Sequence, residues 1–286
     1  MDRPNVIVCL CDQLRAFEVG CYGNEVIRTP HIDQLAAEGV RFDVAISNNP
    51  VCMPARSALL TGQYSRTCMG FLNNHSNAGD LPEYPTERRD WLPDPTIAEV
   101  FKAQGYETSL FGKWHVQPAP HLVGFDYALF PRVHHRHTGQ VFVENSGLGD
   151  VIDGFSIDFE AERVSDYLGQ ERDAPFFMYY NISPPHMPLA DAPEKYLRMY
   201  DPDEVPLRPN TLVNGKLAYD ENWFKIYMWD FLYYQQHLPH TEKLPREFDL
   251  RHLTALYYGL TTWVDDTVGR LMANLKANGL ADNTLV

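Results

Sequence analysis

The 286 residues carry a net charge of −14, with 44% hydrophobic and 22% charged residues. Those proportions belong to an ordinary globular chain and exclude a wholly disordered one, and the length admits one large domain or two average ones. The acidic balance speaks against a general nucleic-acid binder, which needs a basic footprint, so an anionic ligand has to be met by a local cluster of positive groups.

Val6 to Cys11 is a continuous apolar run, the pattern of a strand buried on both faces of a mainly parallel sheet. Asp12 and Gln13 follow at its C-terminal end, where open α/β sheets bind their ligands. The apolar stretch at the N-terminus is too short for a signal peptide or a membrane span, which predicts a cytoplasmic, non-membrane protein. His31 to Glu38, ahead of Gly39, reads as a helix followed by a strand. Cys9, Cys11, Cys21, Cys52 and Cys68 are odd in number and scattered, without paired metal-finger spacing, and do not make a disulfide framework.

Asn48-Asn49-Pro50-Val51 is a turn-like approach to Cys52-Met53-Pro54-Ala55-Arg56, and Ser57 to Leu60 can continue a helix. Proline fits the first helical turn, where its missing N–H is not needed. Cys52 then falls at a helix N-terminus, where the dipole and free N–H groups favour an anion. Arg56, about one turn on, adds a planar fork of donors suited to a tetrahedral oxyanion. The plainer alternative is a buried free cysteine acting as a small hydrophobe.

Pro95 to Ala103 reads as a second helix with a stop at Gly105, then Thr108 to Phe111 as a strand. Gly112-Lys113-Trp114-His115 leaves the end of that strand; in an extended segment the side chains of Lys113 and His115 share a face and can reach one site. His134-His135-Arg136-His137 has the composition of a metal tract, or of a loop or anion-facing patch. Helix Ile157 to Leu168, strand Phe176 to Asn181 and helix Leu253 to Ala277 continue an alternation that predicts an α/β fold, a mainly parallel sheet sandwiched by helices. His186, in Pro184-Pro185-His186-Met187-Pro188, suits proton transfer near neutrality, or is a loop histidine held between prolines. Residues 187–250, rich in proline and in aromatics such as Trp223, Tyr227, Trp229 and Phe231, form a loop-rich insertion that reads equally as a substrate wall or a packed excursion. Asn283 to Val286 looks like a strand beginning.

Cys52-x-Pro54-x-Arg56, followed by Thr61-Gly62, resembles the signature of the formylglycine-dependent sulfatases of the alkaline-phosphatase-like superfamily. The spacing of Asp12 from Cys52, the Gly112-Lys113-Trp114-His115 segment and the Pro185-His186-Met187-Pro188 segment resemble that family's further motifs in the same order. The resemblance implies that a formylglycine-generating enzyme oxidises Cys52 to an aldehyde whose hydrate is the nucleophile attacking a small-molecule sulfate ester. It implies a metal site of Asp12, Gln13 and residue 52 for a divalent cation, Ca2+ before Mg2+ or Mn2+; the glutamine in place of the family's usual second aspartate lowers the site's charge while keeping an oxygen ligand. Arg56 and Lys113 would hold charge on the sulfate, His115 would collapse the covalent intermediate, and His186 would contact the sulfate or protonate the leaving oxygen. Asn73, Asn74 and His75 are candidates for the same pocket.

The family's second pair of metal ligands, in a D-H-G or D-N-G segment after a late strand, is expected just beyond Val286. Residues 1–286 are therefore read as an incomplete N-terminal catalytic domain without the family's C-terminal subdomain. Hydrolysis of phosphonate monoesters or phosphodiesters, and a binding-only relative, are the competing functions; oligomeric state, a homo-oligomer included, is left open.

Overall fold

In the computed structural model, the described residues are 3–69, 85–132, 136–145, 147–214, 216–217 and 250–286. Strand β1 (Asn5–Asp12) is followed by helices α1 (Pro30–Glu38), α2 (Cys52–Thr61), α3 (Ser65–Met69) and α4 (Ile97–Ala103). Strands β2 (Glu107–Gly112), β3 (Tyr127–Pro131), β4 (Val141–Glu144) and β5 (Gly147–Val151) come next, then α5 (Ser156–Leu168) and β6 (Phe176–Pro185). After α6 (Glu194–Leu197), the two-residue strands β7 (Leu212–Val213) and β8 (Lys216–Leu217) pair with each other. Helix α7 (Leu250–Ala277) and β9 (Thr284–Leu285) close the order.

The main sheet has seven strands in the order β5-β4-β3-β2-β6-β1-β9. From β3 to β9 every pairing is parallel, and at the other edge β4 alone is reversed, pairing antiparallel with both β3 and β5. The fold is therefore the expected mainly parallel α/β sheet. All ten residues of β6 are buried, because the strand lies centrally and is covered on both faces. Phe177 and Tyr179 point into one core with Met53 and Leu60 of α2 and Trp114, while Phe176, Met178 and Tyr180 point into the other with Val164 of α5 and Val264 and Leu271 of α7. Alternation along a strand thus feeds two helical layers at once. Burying each of these large side chains contributes about 1.5–3 kcal/mol.

The helix expected over Pro95 to Ala103 forms as α4 (Ile97–Ala103), and the strand expected at Asn283 to Val286 forms as β9 (Thr284–Leu285). Helix α4 opens with a full capping box, in which Thr96 Oγ1 accepts from the Glu99 N–H and Glu99 accepts from the Thr96 N–H. The chain end pairs β9 with β1, Asn5 opposite Thr284 and Val6 opposite Leu285.

The strand expected after α1 does not form. Val40, Phe42, Val44 and Ile46 keep the alternation of a strand, but all are exposed, Ile46 at 86%, and among the described residues no strand pairs with them. A strand's backbone groups need a neighbour, and a period-two pattern alone does not supply one. Among the described residues no helix is long and apolar enough to cross a membrane. Asn73, Asn74, His75, His134, His135 and the aromatics Trp223, Tyr227, Trp229 and Phe231 lie outside the described residues.

Candidate active site

The C-terminal ends of β1, β2 and β6 meet beneath the first turn of α2. β1 delivers Asp12, β2 delivers Lys113 one residue beyond its end, β6 delivers His186 one residue beyond its end, and α2 starts with Cys52. Val51 is extended and Gly62 takes the left-handed conformation (φ 66°), returning its N–H to the Ala58 carbonyl, so both ends of α2 are fixed locally. That leaves Cys52 half-buried at the helix start and Arg56 fully buried one turn later.

Asp12 is the hub. Its Oδ2 lies 2.5 Å from Lys113 Nζ and 3.2 Å from Arg56 Nη2, and its Oδ1 accepts from the Cys52 thiol at 3.6 Å. Lys113 Nζ also stands 3.9 Å from Cys52 Sγ, and Arg56 Nη1 donates to the Lys113 carbonyl at 3.0 Å. Lys113 is 0% exposed, Arg56 2% and Asp12 8%. A buried ion pair repays its desolvation only with close geometry and further hydrogen bonds, which this cluster has. Burial alone would push the Asp12 carboxyl up; Lys113 and then Arg56 outweigh it and hold it well below the usual carboxylate range. Burial pushes the Cys52 thiol above its ordinary value, with Lys113 opposing the shift and Asp12 reinforcing it. As a thiol, residue 52 is protonated near neutrality.

His186 sits at the rim of the same cluster. Its Nδ1 donates to the Met187 carbonyl at 2.7 Å, so the neutral ring carries its proton on Nδ1. Burial, and then the charge of Lys113, drive its pKa down to about 3, so the ring is neutral here. One ring nitrogen of His186, a carboxylate oxygen of Asp12 and Cys52 Sγ lie within 4.8 Å of one another.

The remaining sequence candidates stand differently from their reading. Lys113 and His115 do not share the face of an extended strand: Gly112 (φ 79°) and His115 (φ 46°) both take the left-handed region, and the chain turns away from β2 between them. His115 is nonetheless buried. Gly112 is required by contact as well as conformation, since a Cβ there would strike the Asn181 carbonyl oxygen that accepts from the Lys113 N–H. Gln13 is also left-handed (φ 61°) and exposed, and its carbonyl accepts from Tyr257 Oη on α7 at 2.5 Å. Arg56 donates from Nη2 to Asp12 and from Nη1 to the Lys113 carbonyl, which ties it to the carboxylate and to the backbone of Lys113. His137 is fully buried and is no part of an exposed anion patch. Tyr257, His137 and Asp191 carry no motif, and only the histidine run marked one of them in advance.

The donors suit an oxygen-ligated cation on one side. Asp12 Oδ2 is taken by Lys113 and Arg56, while among the described residues Oδ1 meets only the weak thiol donor of Cys52. Asp12 Oδ1 and the side chain of residue 52 are the positions this side offers to such an ion.

The sulfatase family model matches residues 4–286. An ulvan-active sulfatase of Formosa agariphila is 32% identical over 297 residues, covering 99% of this chain and 49% of its own length, so the chain spans about half of that relative. The crystal structure of a putative sulfatase from Bacteroides fragilis superposes with a TM-score of 0.73 at 25% identity, over 99% of this chain and 60% of that one. A phosphonate monoester hydrolase of Agrobacterium radiobacter shares the fold, with a TM-score of 0.61 at 23% identity over 99% of this chain and 61% of its own. The chain belongs to the sulfatase family.

Proposed function

We propose that the protein carrying this chain hydrolyses a sulfate ester to an alcohol and inorganic sulfate, with residue 52 as the nucleophile after oxidation to formylglycine. The observation that carries this reading is the setting of Cys52: a protonated thiol at a helix start, with a carboxylate acceptor on one side and a buried ammonium on the other. That setting does not generate a thiolate, which a cysteine nucleophile requires. It suits a group bearing hydroxyls, one hydrogen-bonded to Asp12 and one facing Lys113. Matured by a formylglycine-generating enzyme, residue 52 supplies such hydroxyls as the hydrated aldehyde.

A divalent cation held by Asp12, Gln13 and residue 52, Ca2+ before Mg2+ or Mn2+, would neutralise charge on the transferring group. The chain's own residues do the rest. Lys113 meets the anionic sulfate, and Arg56 keeps Asp12 ionised and the Lys113 backbone in place. His186 gives a proton to the leaving oxygen. In the free site Lys113 helps keep His186 neutral; an anionic ester beside Lys113 opposes that field and favours the protonated ring. His115 accepts the proton whose removal releases sulfate and restores the aldehyde. The preorganised positive field is the largest contribution expected, as in other group transfers to charged centres.

Two measurements test this. Mass spectrometry of the Cys52 peptide from protein made alongside the maturation enzyme should show a mass about 18 Da lower than the thiol peptide, a loss distinct from the gains of thiol oxidation. Rates on an aryl sulfate, a phosphodiester and a phosphonate monoester should rank the sulfate first; faster phosphonate turnover would transfer the assignment to the neighbouring hydrolase class. An unmodified thiol and no turnover of any of the three would leave an anion-binding protein.

A further inference from the structure

We infer that His137 is a positioning residue for His186, acting through the His186 backbone; the inference rests on the reading of His186 as the acid for the leaving group. His137 is 0% exposed and lies 49 residues from His186 in sequence, yet its Nε2 stands 3.3 Å from the His186 carbonyl oxygen. A carbonyl only accepts, so Nε2 carries the proton and the neutral ring is the Nε2–H tautomer. Its Nδ1 has no hydrogen-bond partner among the described residues, so the ring makes a single polar contact, and that contact is to His186.

The donor is itself held from behind. Asp191 Oδ2 accepts from the backbone N–H of His137 at 2.6 Å and of Thr138 at 3.1 Å, and Oδ1 accepts from Thr138 Oγ1 at 2.9 Å. The His137 carbonyl accepts from the Ser156 N–H at 2.7 Å, at the start of α5, and the ring sits edge-on to Trp263 of α7 with centroids 6.1 Å apart. Asp191 also lies five residues beyond His186, and its N–H donates to the Pro188 carbonyl. The loop that follows β6 is therefore gripped at His186 and again at Asp191 by one short segment, residues 137–138. Between those grips the His186 side chain has its Nδ1 fixed on Met187, so the direction of Nε2 follows the backbone that His137 holds. A general acid has to stand within hydrogen-bond reach of the departing oxygen, and a small displacement forfeits most of its contribution.

The test uses a pair of amides in the whole, matured protein. The amide nitrogen of His137→Gln sits where Nε2 does and can still donate to the His186 carbonyl; that of His137→Asn stops at the Nδ1 position and cannot. Turnover is compared on an activated aryl sulfate, whose phenolate leaves unaided, and on an alkyl sulfate, whose alkoxide needs the proton. His137→Asn should lower kcat on the alkyl sulfate by about 10–100-fold, a share of the about 10²–10⁴-fold that a general acid supplies, and on the aryl sulfate by less than about threefold. His137→Gln should restore most of the loss. Equal losses on both substrates, or no difference between the two amides, would overturn the inference. His186→Ala is the parallel control: if it leaves the leaving-group dependence unchanged, the acid assignment itself fails, whereas a steepened dependence there with none in His137→Asn sinks only the role of His137. Should both amide variants fail to fold, Asp191→Asn carries the same comparison, with selective loss on the alkyl sulfate expected and uniform loss refuting. A readout without turnover is the histidine 15N spectrum, in which His137 should be a neutral Nε2–H ring from pH 5 to 8; an Nδ1–H ring would remove the contact on which the argument stands.

Discussion

Gly112→Ala is the most demanding single test of how the strand ends build the site. The new Cβ would land on the Asn181 carbonyl oxygen and lie 3.0 Å from the Asn181 carbonyl carbon and from Glu160 Oε2, all parts of a fully buried layer. Relief requires β2 to move off β6, which lengthens the 3.0 Å bond from the Lys113 N–H to that carbonyl. The left-handed backbone at φ 79° adds about 1–2 kcal/mol for any residue with a Cβ. A buried carbonyl deprived of its donor adds about 1–3 kcal/mol. The expected destabilisation is therefore about 2–5 kcal/mol, read as a drop in the urea midpoint at unchanged m-value. Gly279→Ala separates the two contributions, because Gly279 is also left-handed (φ 66°) but a Cβ there meets nothing within 4 Å, so it should lose only the backbone share. If Gly112→Ala loses no more than Gly279→Ala, the close approach of β2 to β6 does not constrain Lys113 and the account of the turn is wrong.

Asp12→Asn leaves Lys113 and Arg56 buried against a neutral amide and should destabilise by about 3–5 kcal/mol at pH 7. The Asp12 pKa is depressed in the folded chain, so its contribution is present above the unfolded value of about 3.9 and fades as pH falls towards the folded one; the gap between wild type and variant should narrow below about pH 4, and a gap constant in pH would refute the pairing. Glu160 is fully buried, neither carboxyl oxygen has a partner among the described residues, and burial raises its pKa well above the ordinary value. The folded state then holds a proton that the unfolded chain loses above about pH 4.3, so wild-type stability falls as pH rises from there, and Glu160→Gln should gain relative to wild type between pH 5 and 8; parallel pH curves would count against it. Tyr257→Phe removes the bonds from Tyr257 Oη to the Gln13 carbonyl and from the Arg15 N–H to that hydroxyl, and should lower stability by about 1–2 kcal/mol in the same urea assay, with no change expected if Gln13 holds its turn unaided.

What the sequence made legible was whatever is decided within a few residues. Pro54 in a first turn starts α2, and the runs Val6 to Cys11 and Phe176 to Asn181 read as strands. The cluster of Asp12, Cys52, Lys113 and His186 was expected from the order of the motifs that resemble the family's, with Asp12, Lys113 and His186 following strands and Cys52 starting a helix. The direction of Lys113 and His115 was not, because an extended segment was assumed where Gly112 turns the chain. The strand after α1 failed for a related reason: Val40, Phe42, Val44 and Ile46 carry the period, but pairing is a property of two segments. His137, Asp191 and Tyr257 act on the site across 49, 54 and 244 residues of sequence, and no local pattern encodes such contacts.

On the proposed function, an acidic protein has to take an anionic substrate, and the charge count of the site is what that requires. The whole chain carries −14, yet Lys113 and Arg56 together bring two positive charges against the single carboxylate of Asp12, and His186 adds none while it is neutral. The pocket is thus left with an excess of one positive charge, buried where solvent screens it least. Both cations engage the Asp12 carboxylate, Lys113 at 2.5 Å and Arg56 at 3.2 Å. Arg56 also donates to the Lys113 carbonyl. Lys113 is the one that also reaches residue 52, at 3.9 Å, with three rotatable donors on a compact charge. Arg56 thereby fixes both the carboxylate and the backbone of the lysine, 57 residues later, to which the proposed function assigns the charge that the anion meets.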